Sequence, residues 1–347
     1  MNLADLNKVA TAMAAPGKGV LAADESSGTI KKRFDAIKVE STEDSRRDYR
    51  EMLFRSTEAM KQYISGVILY DETIWQNAKD GTPLIKLIEQ YGAIPGIKVD
   101  EGTQALPGCP GELVTVGLDK LAERLKKYYE RGARFAKWRA VIDIGHGTGG
   151  PGVPTMTAIH VNAHALARYA ALCQAAQIVP IVEPEVLMDG SHDIDRCYEV
   201  TSRVLNKTFQ ELRVQRVALE GMILKPNMAI SGKKSAKQAS VEEVAEKTIR
   251  LLKACVPAAV PGIAFLSGGQ SDEDATAHLN AMNRIGGLPW RLTFSYGRAL
   301  QAAPQKAWSG KAENIGAGQR AFTHRARMNS LATAGEWQPD LEQKKVA

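Results

Sequence analysis

Leu219-Glu220-Gly221-Met222-Ile223-Leu224-Lys225-Pro226-Asn227-Met228 is an apolar run that ends in a lysine and stops at a proline. Read as a strand, it alternates faces, so Leu219, Gly221, Ile223 and Lys225 point one way. Pro226 has no N–H and ends the ladder there. One amine therefore sits at the tip of an apolar strand. An amine among apolar neighbours loses hydration of its charged form, and its pKa falls. It can then attack a carbonyl and form a Schiff base. The competing reading is a strand-end lysine whose long stem carries its charge to water.

Working outward, seven more short apolar runs share this character. They begin at Gly19, Gly66, Ile94, Ala133, Ile178, Gly262 and Trp290. Between them, apolar spacing and helix-forming composition predict helices over 30–38, 43–61, 82–91, 118–131, 155–176, 192–214, 240–255, 272–284 and 298–307. A further amphipathic helix over 3–14 precedes the first strand. Strands alternating with helices imply a parallel sheet, and eight of them imply closure. An open doubly wound sheet would carry a G-x-G-x-x-G turn after the first strand, and Ala23-Asp24-Glu25-Ser26-Ser27-Gly28 is not one. The expected architecture is α/β: a single (β/α)8 barrel domain over 1–347, with an N-terminal helix and a mobile C-terminal tail over 331–347.

The 347 residues are 44% hydrophobic and 24% charged, an ordinary globular balance. No apolar run is long enough to span a bilayer, and the N-terminus has no secretory apolar region. Cys109, Cys173, Cys197 and Cys255 form no C-x-x-C pair, which argues for reduced thiols in a cytoplasm. The net charge of +6 suits an anionic ligand, and equally suits no particular ligand, since no dense basic block is present. The basic residues are spread out and not interleaved with aromatics, which argues against nucleic acid.

The chemistry gathers where strands end. Asp24, Lys98, Lys137 with Arg139, Glu183, Lys225, Ser267 with Gly268, and Ser295 with Gly297 and Arg298 all fall at C-terminal strand ends, which a barrel converges on one mouth. Lys137 and Arg139 share a face, as do Val20, Ala22 and Asp24. Lys137 near Lys225 would favour proton loss from one ammonium. Glu183 could shuttle protons, and Asp24 could take a hydroxyl proton during carbon–carbon cleavage. Ser267-Gly268-Gly269 and the helix opening at Gly297-Arg298 fall where a barrel usually holds phosphate; a plain tight turn is the alternative for each glycine pair. Ser26, Ser27, Thr29 and Arg33 follow Asp24, and Arg33 could fork onto a second phosphate; a plain solvated helix face is the alternative.

Leu21–Ser26, Gly96–Asp100, Phe135–Arg139, Val182–Glu185, Leu224–Met228, Leu266–Gln270 and Phe294–Gln301 together resemble class I fructose-bisphosphate aldolase, over residues 1 to about 330. The resemblance implies Schiff-base cleavage of fructose 1,6-bisphosphate, a phosphorylated-sugar partner, no cofactor and no metal, and a homotetramer. It implies Lys225 as the Schiff-base lysine, Glu183 as proton shuttle, Lys137 and Asp24 as catalytic, and Glu185 beside them. Lys98 and Arg139 would contact substrate. Ser267, Gly268, Gly297 and Arg298 would hold one phosphate, and Ser26, Thr29 and Arg33 the other. Animal members end in a mobile tail with a terminal tyrosine; here Gln338–Ala347 has none. The glycine-rich loop 145–154 also differs and reads as a surface loop.

Three other readings compete. A metal-dependent aldolase could use His160 and His164, four apart on a helix, but Val161 stands where H-E-x-x-H needs Glu. His146, His192, His278 and His324 add no ligand spacing. A transaldolase-like Schiff-base barrel would not need two phosphate sites. A non-catalytic barrel scaffold would not need the acid–base set.

Overall fold

The computed structural model describes residues 1–145 and 152–343. In chain order the elements are α1 (Leu3–Met13), β1 (Gly19–Ala23), α2 (Ser27–Ala36), α3 (Glu43–Phe54), β2 (Ile64–Leu69), α4 (Asp71–Trp75), α5 (Leu84–Glu89), β3 (Ile94–Lys98), β4 (Thr103–Ala105), β5 (Leu113–Thr115), α6 (Leu121–Arg131), β6 (Phe135–Ile142), α7 (Met156–Ala175), β7 (Val179–Val186), α8 (Ile194–Val214), β8 (Ile223–Leu224), α9 (Val241–Cys255), β9 (Gly262–Phe265), α10 (Asp272–Ile285), β10 (Arg291–Tyr296), α11 (Arg298–Trp308) and α12 (Ile315–Ala334). β1, β2, β3, β6, β7, β8, β9 and β10 pair in parallel and close into a barrel, while β4 and β5 form a separate antiparallel hairpin.

Strand parity sorts the side chains into two layers. Val20, Ala22, Ile68, Phe135, Val179, Ile181, Ile223 and Ala264 fill the barrel interior. Leu21, Ala23, Val67, Leu69, Ile97, Ala136, Trp138, Val182 and Leu224 face the surrounding helices. Leu6, Ala10 and Met13 of α1 join the interior cluster, so this helix closes one end of the barrel. Close approach fixes glycine at two positions, because a Cβ on Gly96 would lie 2.2 Å from the Phe135 ring and one on Gly66 2.9 Å. Those two gaps in neighbouring strands are what admit a phenylalanine to the interior.

Several expectations change. The 219–228 stretch is not one strand: Leu219–Gly221 forms a 3-10 turn, and only Ile223–Leu224 is strand. The Gln174 side chain draws the start away, donating to the Ala218 and Gly221 carbonyls (2.7 and 3.2 Å) and accepting from the Ala218 N–H (2.9 Å). The Lys225 N–H still bonds the Val182 carbonyl at 2.8 Å, which keeps this residue in strand register. The helix expected over 43–61 ends at Phe54 and is followed by a π-helical turn, Ala59–Tyr63.

Part of the expected tail is ordered structure. Residues 331–334 are the last turn of α12, a helix the sequence reading did not include. Beyond it Trp337 is buried, and its indole N–H donates to Glu342 at 2.9 Å. Glu342 also accepts from Arg325 (2.5 Å) and bonds His324 (3.1 Å). Residues 344–347, and 146–151 of the glycine-rich loop with His146, lie outside the described residues. All four cysteines are free and buried. Among the described residues, no helix is long and apolar enough to cross a membrane.

Candidate active site

The interior parity that places Ala22, Phe135, Ile181 and Ile223 inside the barrel carries Asp24, Lys137, Glu183 and Lys225 inward, each two residues or a multiple of two further on. Register sets them abreast: Lys137 lies opposite Lys98, and Arg139 opposite Glu183. The strand ends open into a cavity of about 920 Å³; Ser27 and Gly269 do not line it, and the other candidate site residues named from the sequence do. These are Asp24, Ser26, Thr29, Arg33, Lys98, Lys137, Arg139, Glu183, Glu185, Lys225, Ser267, Gly268, Ser295, Gly297 and Arg298.

At the cavity floor the charges form a chain. Asp24 accepts from Lys137 at 2.7 Å. Glu183 stands between the two lysines, with Oε2 3.5 Å from Lys137 Nζ and Oε1 3.3 Å from Lys225 Nζ. All three of Lys137, Glu183 and Lys225 are at most 5% exposed. Buried charges at this depth persist only when paired. For Asp24, burial opposes ionisation, but the charges of Lys137, Lys225 and Lys98 outweigh it and hold the carboxyl below the usual range. Burial likewise opposes the Lys137 charge, yet Asp24, Glu183 and Asp100 raise its pKa. The like-charge expectation is thereby revised: Lys137 is bracketed by carboxylates, and Glu183 intervenes between it and Lys225. Glu183 Oε2 makes no hydrogen bond among the described residues, so one of its oxygens is spare for proton traffic.

Above the floor, the partly exposed Arg139 pairs with Glu185, and the surrounding carboxylates raise its pKa against the desolvation of the site. Lys98 reaches Asp100 at 3.4 Å and lies over the Tyr70 ring. On one flank, Ser267 and Gly268 follow β9, while Gly297 caps α11 with no side chain of its own. The buried Ser295 hydroxyl has no hydrogen bond among the described residues. The helix start beside Arg298 presents backbone N–H groups and the positive end of the helix dipole.

On the other flank, Ser26 caps α2 without a side-chain capping bond, and its hydroxyl lies 3.2 Å from that of Thr29. Arg33 donates to Glu25 at 2.5 Å. Gln301, from α11, donates to the Ala22 carbonyl (2.6 Å) and to Glu25 (2.7 Å), bolting the two flanks together. Lys32, Asp100, Glu25, Gly102 and Thr103 also line the cavity and were not named from the sequence. Asp100 and Lys32 each sit within two residues of a named cation, which was the available signal. Gly102 and Thr103 arrive on the β4–β5 hairpin, which no periodicity announced.

His160 and His164 lie outside the cavity and turn their Nδ1 atoms toward Glu211, at 3.5 and 3.1 Å. Among the described residues, no group of three or more His, Cys, Asp or Glu is arranged to hold a metal ion.

A closed parallel barrel whose mouth holds buried lysines interlocked with carboxylates defines a lysine-centred lyase. The chain matches the family described as fructose-bisphosphate aldolase class-I over residues 5–347. It is 56% identical over 338 residues, 97% of this chain and 99% of the other, to a probable fructose-bisphosphate aldolase class 1 of Xanthomonas campestris. It is 53% identical to the cytosolic fructose-bisphosphate aldolase 4 of Arabidopsis thaliana, over 94% of this chain and 82% of that one. A co-crystal structure of fructose-bisphosphate aldolase from Plasmodium falciparum, in complex with TRAP and a small-molecule inhibitor, superposes with a TM-score of 0.93 at 47% identity, covering 97% and 96% of the two chains. The chain belongs to the class I fructose-bisphosphate aldolase family.

Proposed function

We propose that this enzyme cleaves fructose 1,6-bisphosphate reversibly to dihydroxyacetone phosphate and glyceraldehyde 3-phosphate through a Schiff base on Lys225. The observation that carries the assignment is Glu183, placed with one oxygen 3.3 Å from Lys225 and the other 3.5 Å from Lys137. Glu183 takes a proton from Lys225, the neutral amine attacks the substrate carbonyl carbon while its surplus proton passes to the new alkoxide, and the proton held by Glu183 then lets the carbinolamine oxygen leave as water. The resulting iminium draws electrons from the C3–C4 bond as Asp24 takes the C4 hydroxyl proton. The aldehyde departs and an enamine remains. Protonation at C3 and hydrolysis then release the second triose phosphate and restore Lys225.

Lys137 keeps its charge and steadies both carboxylates while protons move between substrate and Glu183. Glu185 orients Arg139, and Arg139 with Lys98 contacts the sugar hydroxyls. Ser267, Gly268, Ser295, Gly297 and Arg298 take one phosphate, and Ser26, Thr29 and Arg33 take the other. The family resemblance supports a homotetramer, and the cytosolic naming of the plant relative supports a cytoplasmic location. The chain acts as one catalytic domain. Lys225→Met is expected to abolish turnover while leaving the fold intact, and a chelator is expected to leave wild-type turnover unchanged. Full turnover in Lys225→Met, or its loss on chelation, would contradict the assignment.

A further inference from the structure

The loop after β8 brings a cation to the back of the proposed phosphate loop. It is laced to the loop after β7 by three backbone bonds: Gly232 N–H to the His192 carbonyl (2.9 Å), Lys233 N–H to Met188 (3.0 Å) and Lys234 N–H to Gly190 (2.8 Å). From this anchored position the Lys233 side chain runs across Gly269, in the loop after β9. Gly269 has a φ of +76°, and a Cβ there would lie 2.4 Å from Lys233 Cε and 3.2 Å from its Nζ. Glycine at 269 is therefore what lets the lysine stem lie against this loop. Ser267 and Gly268, the two residues before Gly269, line the cavity.

The Lys233 ammonium is not consumed by this packing. It pairs with Asp189 at 2.8 Å, and the two side chains are 44% and 60% exposed. A pair so open to water is weakly held. A phosphate dianion on the adjoining loop competes with such a carboxylate for the same ammonium.

We propose that Lys233 is a further determinant of phosphate affinity, a cation held by Asp189 behind the Ser267–Gly269 loop and shared with the substrate phosphate when that loop is occupied. The inference rests on assigning Ser267, Gly268, Gly297 and Arg298 to phosphate. It differs from a purely structural role in one respect. If the Lys233–Asp189 pair only ties two loops together, removing either charge disturbs the loop in the same direction. If Lys233 serves phosphate, the two removals act in opposite directions.

The test is steady-state kinetics on fructose 1,6-bisphosphate with Lys233→Met, Asp189→Asn and Arg298→Ala. Lys233→Met keeps an unbranched stem over Gly269 and removes only the charge. It is expected to raise KM about 2–5-fold, the size of one partly exposed charge interaction. Asp189→Asn releases the ammonium and is expected to lower KM by a similar factor. Both effects should shrink as salt is raised from 0.05 to about 0.5 M. KM moving in the same direction in both variants, or in neither, overturns the role of Lys233 provided Arg298→Ala raises KM. Arg298→Ala leaving KM unchanged overturns the phosphate site itself.

Discussion

Asp24 and Lys137 hold each other in their charged forms, with consequences for pH. The folded pKa of Asp24 lies below its ordinary value, so its contribution to stability is present above about 3.9 and is lost as pH falls through the lower folded value. The folded pKa of Lys137 is raised, so its contribution is complete below about 10.4 and is lost only as pH rises through the higher folded value. Neither group titrates between about pH 5 and 9, and any limb of the kcat profile in that window belongs to other groups. Asp24→Asn is expected to lower the kcat plateau by about 10²–10⁴-fold without moving those limbs; a displaced acid limb in the variant contradicts this account. Arg298→Ala is expected to raise KM by the equivalent of about 1.5–3 kcal/mol, the worth of lost charge-assisted hydrogen bonds. The inward direction of Asp24, Lys137 and Arg139 was legible because strand side chains alternate. The carboxylates that bracket Lys137 were not, because they come from β7 and from the turn after β1, and only the closed register brings them together.

The strands and helices divide in the same way. Long periodic helices such as α7 and α8 were readable to within two residues at either end. The strand before Lys225 was not, since its apparent length depended on ladder bonds that the Gln174 amide diverts. The β4–β5 hairpin has three-residue strands, too short for an alternation to register. Close packing across strands gives a direct test: Gly96→Ala would press a methyl into the Phe135 ring. It is expected to cost about 1–3 kcal/mol in denaturant unfolding, and an unchanged midpoint would show the interior is looser than described.

The C-terminal segment gives a second test. Burial opposes the Glu342 charge, but His324, Arg325 and Trp337 bring its pKa down to about 2. Docking of residues 335–343 is thus supported above the ordinary carboxylate range and weakens as pH falls toward 2. Glu342→Gln is expected to speed amide exchange in 335–343 at neutral pH and to leave the barrel strands protected. Unaltered exchange there would show that Trp337 alone holds the segment.

A closed parallel barrel collects every C-terminal strand end at one mouth, which is why so much of the site could be assembled from residues scattered between Asp24 and Arg298. The topology does most of the convergence, and α1 closes one end of the barrel. What stayed hidden was Lys32 on α2, the hairpin residues, and the Gln301 bridge between the two flanks of the cavity. The central claim is that all this geometry serves one amine. Borohydride reduction in the presence of fructose 1,6-bisphosphate, followed by peptide mass spectrometry, tests it directly. The account predicts a triose-phosphate adduct on Lys225 and none when borohydride is added without substrate. An adduct on Lys137 or Lys98, or no adduct at all from active enzyme, would contradict it.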